Sequence, residues 1–431
     1  MNKTSRILSY LAGFLSVLVL VNTKGGWISL LLRPLKLLAS ACSPILALAG
    51  GVGATIGLRH KDRPAIWTGL FGAAVAARHV AKVTAPHDGF ARAFGSDWRS
   101  HIPPELQAHM LPKRWTPMPR NPPQVPWQRD IVFGTHLETG DSLLADLWQP
   151  PDDVPRTGLA VIYLHGSGWH FQDKDTGTRY FFRHLAGQGH VIMDVAYTLA
   201  PKAHIQTMVA DVKRAIAWMK ANASQYNVNP ERLVLMGGSA GGHLALLTAY
   251  APRHPKLQPA DVERDTSVRA AISYYGLADL QAFYEYLQQN YGHILPGETR
   301  LGQWAIAKLK SIWHETNFLP PYGRYIPISD LVPDVLNGPS EKLPDLCRIF
   351  SPIHHVGPHC PPTLILQGTH DLGGMAPDAH RLHRALCDAG VKSVYNEFPE
   401  TEHGFDLFLP KWSPAAQAAT YDTERFLALM I

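Results

Sequence analysis

From residue 159 onward, apolar runs five to eight residues long alternate with longer stretches of helical period. The runs at 159–164, 190–197, 232–236, 268–275, 362–367 and 391–397 read as hydrophobic strands. The stretches at 177–187, 205–222, 240–251, 376–388 and 414–430 read as helices. This strand–helix rhythm predicts an α/β fold built on a mostly parallel, doubly wound sheet. Two more strands, near 128–136 and 142–149 around Glu138-Thr-Gly-Asp141, predict an antiparallel hairpin at its edge. A catalytic domain of 128–431 is long enough to bury an ample core.

The first 85 residues have a different pattern. Ile7–Thr23, Leu37–Leu58 and Pro64–Ala77 contain no charged residue. The first two are long enough to cross or nearly cross a hydrocarbon core at about 1.5 Å per residue, and the third is short unless Arg78 snorkels. Ten Lys or Arg against the single acid Asp62 give this segment a net charge of +9, so the rest of the 431-residue chain, +5 in total, carries −4. The segment is expected to be an uncleaved integral membrane anchor touching lipid. A cleaved signal peptide competes for the first run, but no small-x-small site follows promptly after Val21. Basic residues flank every gap and leave the orientation open. Gly51-Val-Gly53-Ala-Thr-Ile-Gly57 follows no strand and reads as a helix-packing face, not a phosphate loop. Residues 86–127, with eight prolines between Pro103 and Pro126, are expected to form a stiff, extended strap.

The chemistry sits at strand ends. Leu233 to Met236 runs into Gly237-Gly-Ser-Ala-Gly241, with a helix directly after. A strand and a helix meeting over one strained residue collide unless positions 237 and 241 lack side chains, so Ser239 is the candidate nucleophile. The later strand 362–367 leads to Asp371, and the strand after that leads to His403, giving the order Ser…Asp…His. Asp378 is the competing acid. Upstream, Leu159–Leu164 enters His165-Gly-Ser-Gly-Trp169, where the N–H groups of Ser167 and Gly168, with that of Ala240, are the candidate oxyanion hole.

These pieces, with Ala196-Tyr-Thr-Leu-Ala-Pro201, Asp211 and Ser351-Pro-Ile-His-His-Val356, resemble the hormone-sensitive-lipase-like branch of the α/β-hydrolase esterases over about residues 128–431. The resemblance implies the α/β-hydrolase fold and hydrolysis of carboxylic esters by Ser239, His403 and Asp371. Two positions depart from the pattern. Ser167 stands where a glycine is usual, and Gly238 where lipase-like members carry aspartate, which leaves room for feruloyl-esterase-like and prenylcysteine-methylesterase-like groups.

An insertion at about 277–350 carries Phe283, Tyr284, Tyr286, Tyr291, Trp304, Trp313, Phe318, Tyr322 and Tyr325 and is expected to cap an apolar acyl site; a separately packed embellishment is the alternative. Trp169 and Phe171 read as pocket wall or as core. Cys42, Cys347, Cys360 and Cys387 form no C-x-x-C pair, and the 22 histidines are scattered, so no metal or organic cofactor is expected. No nucleic-acid footprint is present. The expected substrate is a small apolar or amphipathic acyl ester. Amidase, peptidase and methylesterase chemistry stay open on the same residues, as does a non-catalytic ligand-binding relative.

Overall fold

The computed structural model describes residues 3–137, 139–166, 168–263, 265–291, 328–338, 342–371 and 373–431. The N-terminal region is α1 (Lys3–Leu20), α2 (Gly26–Ala41), α3 (Ser43–Arg59) and α4 (Arg63–Val83). Short α5 (Gly89–Phe94) and α6 (Pro104–Gln107) lead into β1 (Trp127–Thr135) and β2 (Ser142–Trp148). Then follow β3 (Ala160–Leu164), α7 (Arg179–Ala186), β4 (Val191–Ala196), α8 (Ile205–Ala221), β5 (Leu233–Gly238), α9 (Ala240–Tyr250), β6 (Ala270–Tyr274) and α10 (Leu280–Tyr291). After the insertion come α11 (Leu331–Leu336), α12 (Leu343–Phe350), β7 (Thr363–Gly368), α13 (Ala376–Asp388), β8 (Ser393–Phe398) and α14 (Pro414–Ala428).

The strands form one eight-stranded sheet in the order β1-β2-β4-β3-β5-β6-β7-β8. Strands β3 to β8 are parallel, and the β1–β2 hairpin joins antiparallel through β2 on β4, as the sequence pattern predicts. Every residue of β3, β5, β6 and β7 is buried, which is why these segments show no polar alternation.

The N-terminal helices α1, α3 and α4 pack together through small residues. A Cβ on Gly50 would lie 2.6 Å from the Gly69 carbonyl oxygen, and one on Gly53 would lie 2.5 Å from Ser9 Oγ. Ser5 Oγ donates to the Gly53 carbonyl at 2.9 Å and Ser16 Oγ to that of Gly72 at 3.0 Å. Such close backbone approach is how helices associate where no hydrophobic force separates protein from its surroundings. The uncharged run Leu37–Leu58 is not one straight helix: α2 and α3 meet at a 74° bend beside Cys42, where Pro44 begins a new helix because it has no N–H to continue the old one. Among the described residues, helix α1 alone is long and apolar enough to cross a bilayer, and the bent pair passes the same test only when taken together.

The Pro-rich stretch, expected as a stiff and extended strap, also packs into the catalytic domain. Phe90, Trp98, Ile102, Leu106 and Met110 are buried in the core on one face of the sheet, with Phe90 and Trp98 stacked at 4.7 Å. Its backbone is tied to α14: Leu111 N–H donates to Glu424 at 2.8 Å, Thr116 N–H donates to Gln417 at 2.9 Å, and Arg114 pairs with Asp422. Its aromatic residues pack where the prolines alone would predict a spacer. Phe90→Ala and Trp98→Ala are therefore expected each to cost about 3–5 kcal/mol of stability, as truncating a buried aromatic does. A drop in the thermal midpoint of the full chain in detergent checks this; an unchanged midpoint would mean the stretch is only a tether.

Candidate active site

Ser239 has φ 55° and ψ −122°, a left-handed conformation that a non-glycine residue adopts only under strain. Its surroundings enforce that conformation. A Cβ on Gly241 would sit 2.0 Å from the Leu164 carbonyl oxygen, and one on Gly237 would sit 2.4 Å from the Gly241 carbonyl carbon. Strand β5 and helix α9 approach this closely only because both positions are bare. The Ser239 N–H donates to the Tyr274 carbonyl at 2.9 Å, which pins the elbow to β6.

His403, on the loop between β8 and α14, places Nε2 2.9 Å from Ser239 Oγ and Nδ1 2.8 Å from Asp371 Oδ2. A carboxylate only accepts, so Nδ1 carries the proton and Nε2 is left to accept from the serine hydroxyl. Asp371, at the end of β7, also accepts from Gln367 Nε2 at 3.0 Å and from the Gly373 N–H at 2.9 Å. Burial works against its charge, but the His403 imidazole and these donors outweigh it and hold the carboxyl below its ordinary value. The competing acid Asp378 pairs instead with Arg381 at 2.7 Å on α13.

Ala240 is the first residue of α9, where N–H groups have no intrahelical acceptor and the helix dipole favours an anion. Gly168 has φ +55°, and its carbonyl is held by His170 Nδ1 at 2.7 Å while His170 Nε2 reaches Asp334 of α11 at 2.9 Å. Ser167 lies outside the described residues. Gly166 lies against the elbow, where a Cβ would come 3.2 Å from that of Ser239. The other motif residues have structural contacts: Tyr197 OH donates to the His165 carbonyl at 2.9 Å, Asp211 accepts from the Thr198 N–H at 3.0 Å, and Ser351 Oγ accepts from the Leu280 N–H at 2.7 Å.

From the insertion, Phe283 meets Trp169 edge-on at 6.5 Å, and Tyr286 lies against Gly374 in the acid loop. Trp169 is core, 1% exposed. Trp304, Trp313, Phe318, Tyr322 and Tyr325 lie outside the described residues. The four cysteines are free thiols.

Sequence reasoning missed several groups around His403. Tyr275 is tilted against the imidazole at 4.5 Å, and its hydroxyl donates to the partly buried Asp406, whose carboxyl is pushed up to about 6 by loss of solvent. At position 238 a Cβ would lie 3.2 Å from Tyr275 OH, so this tyrosine occupies the space a larger residue there would need. Glu402 is buried against Lys36, and Glu400 is met by Arg78 at 2.6 Å and Lys82 at 3.4 Å. The signal available for these last contacts was isolated basic residues in otherwise apolar segments.

A family model described as BD-FAE matches residues 145–317. The chain is 28% identical over 351 residues to Esterase LipQ of Mycobacterium tuberculosis, covering 79% of this chain and 73% of that one. It is 29% identical over 301 residues to the "Probable carboxylic ester hydrolase LipM" of the same organism, covering 69% of this chain and 60% of that one. Among solved structures, Thermogutta terrifontis esterase 2 phosphonylated by sarin superposes with a TM-score of 0.50 at 22% identity, covering 71% of this chain and 95% of its own, a likeness of fold.

His79, opposed by partial burial and helped by Arg78 and Lys82, brings the Glu400 carboxyl down to about 2 from an ordinary 4.5. Above pH 4.5 the folded and unfolded chains both carry this charge and its pairing contributes in full. As pH falls from 4.5 towards 2, the unfolded chain takes up a proton that the folded one does not, and the contribution is lost. The thermal midpoint of Glu400→Gln should therefore fall less steeply over that window than that of the parent chain; parallel slopes would mean that the pairing is too solvated to matter.

Proposed function

We propose that the chain, similar to curated esterases and built on an eight-stranded α/β sheet, is a membrane-associated serine carboxylesterase of the α/β-hydrolase esterases, acting on apolar or amphipathic acyl esters through an acyl-enzyme. One observation carries the reading: the continuous hydrogen-bond line from Ser239 Oγ through the His403 imidazole to Asp371. Ester rather than amide substrates are proposed because the relatives LipQ and LipM are described as an esterase and a carboxylic ester hydrolase.

In this reading Ser239 Oγ attacks the ester carbonyl carbon as its proton passes to His403 Nε2. The oxyanion that forms faces the N–H groups of Ala240 and Gly168, with Ser167 proposed as the third donor. The carbon–oxygen bond to the alcohol then breaks, and His403 returns the proton to the departing oxygen. Water attacks the acyl-enzyme by the same proton route, releasing the acid and restoring the serine. Asp371 keeps the proton on Nδ1 and stabilises the imidazolium, a task suited to a carboxylate held ionised.

Membrane association is supported by what α1, α3 and α4 turn outward. Ile7, Leu11, Phe14, Leu48, Trp67 and Phe71 are all exposed, on helices about 26–32 Å long at 1.5 Å per residue. The full chain should fractionate with membranes and resist alkaline carbonate. Extraction by salt alone would show that it lies on the surface.

Ser239→Ala should abolish fluorophosphonate labelling and lower turnover by about a million-fold. His403→Ala should be comparably damaging, and Asp371→Asn about ten-thousand-fold. Asp378→Asn should be nearly silent. Labelling that survives Ser239→Ala would overturn the assignment.

A further inference from the structure

We propose that α2 of the N-terminal region positions the general base: Lys36 and Arg33 are positioning residues that hold the His403 loop in its reactive place. The inference rests on the reading of Ser239, His403 and Asp371 given above.

After His403 the loop between β8 and α14 is held by its own domain, through Phe405 buried in the core and Asp406, which accepts from the Tyr275 hydroxyl; before it the ties to that domain are backbone contacts near the acid loop. The Glu400 N–H donates to Thr369 Oγ1 at 2.8 Å, and the Thr401 carbonyl accepts from the His370 N–H at 3.0 Å. Gly404, directly after the histidine, has φ +75° and marks a turn rather than a regular element. The side-chain ties to Glu402 and to the His403 carbonyl come from the N-terminal helices. Arg33 Nη2 donates to the carbonyl of His403 itself at 3.0 Å, across 370 positions. Lys36 Nζ pairs with the Glu402 carboxylate, and both side chains are buried, at 2% and 3% exposure. From α4, Arg78, Lys82 and the buried His79 face Glu400. The residue before the histidine, its own carbonyl and a residue three before it are thus all held by N-terminal helices.

A buried Lys–Glu pair is poor evidence of added stability, because desolvating the two charges offsets most of their attraction. This pair is better explained by what it keeps in place. Burial raises the carboxyl of Glu402, Lys36 opposes that, and Asp371 lies close enough to raise it again, with Arg33 acting in the same sense as Lys36. Without Lys36 a second carboxylate would be left unpaired beside the Asp371–His403 pair. It would then either take up a proton and release the loop, or repel Asp371. Both outcomes displace His403 from Ser239, and misplacement by about 1 Å costs on the order of a hundredfold in rate.

The test uses the full chain in detergent, with a water-soluble acetyl ester as substrate and fluorophosphonate titrated to completion, so that kcat is expressed per active site. Lys36→Met is expected to lower kcat per titrated site about 10- to 100-fold, with KM within about twofold. Arg33→Gln should act in the same direction, and Lys36→Arg should keep most of the rate. If Lys36→Met fails to fold, Lys36→Met/Glu402→Gln removes both buried charges, and its kcat per site should still be at least about tenfold down because the loop remains untied. Parental kcat per site in Lys36→Met or the double variant, with only yield or thermal midpoint reduced, would overturn the proposal and make the pair structural. Labelling that persists in Ser239→Ala would instead overturn the underlying function, whatever the Lys36 variants do.

Discussion

The approach of β5 and α9 to the carbonyl of Leu164 constrains everything else at the site. With Gly241 packed on that carbonyl and Gly237 packed on Gly241, the chain turns from strand to helix over a single residue, and Ser239 is left in a left-handed conformation with its hydroxyl clear of the backbone. Two consequences follow from the same contact. The unsatisfied N–H groups of α9 open beside the hydroxyl, and the loop after β3 is drawn against the elbow through Gly166, which brings Gly168 to that side. A side chain at either glycine would push the strand, the helix and the loop apart together.

The two partners of the serine are secured differently. Asp371 follows β7, which has a strand on each side, and is fixed by donors from its own loop and strand end, Gly373 and Gln367. His403 follows β8, the edge strand, with no further strand beyond it. An edge is commonly covered by a helix or loop. Here α5 packs on β8, and α2 and α4 reach the loop beyond it. His403 thus lies on the loop beyond the edge of the sheet, where the N-terminal helices reach it through Arg33 and Lys36.

Much of this was legible from residue order. The central strands and helices lie within about two residues of their sequence-derived bounds, because full burial removes polar residues and helical period is plain in α8 and α13. Ser239, Asp371 and His403 stood out because each follows an apolar strand in the expected order. Hydropathy failed where the determinant was a partner distant in sequence. It could not show that Leu37–Leu58 bends at Pro44, since the run is apolar on both sides of the bend. The proline count between 86 and 127 concealed Phe90 and Trp98, whose core partners lie in the C-terminal part of the sheet. Tyr275–Asp406 and Lys36–Glu402 are invisible to any local window, since each joins residues more than a hundred positions apart.

Helix α2 carries this argument one step further. Its charged residues Arg33 and Lys36 turn inward to the catalytic domain, while Ile28, Leu31, Leu35 and Leu38 are exposed, Leu31 by 65%. In water such a helix would be inside out: hydrating the leucines is unfavourable, and so is stripping water from a lysine. An apolar medium beyond the leucines would relieve both costs, and the two charges would then be best placed against acceptors supplied by the protein. Glu402 and the carbonyl of His403 are those acceptors. With the N-terminal helices in a bilayer, as proposed above, the same apolar surroundings would favour Arg33 and Lys36 meeting the loop that carries the histidine.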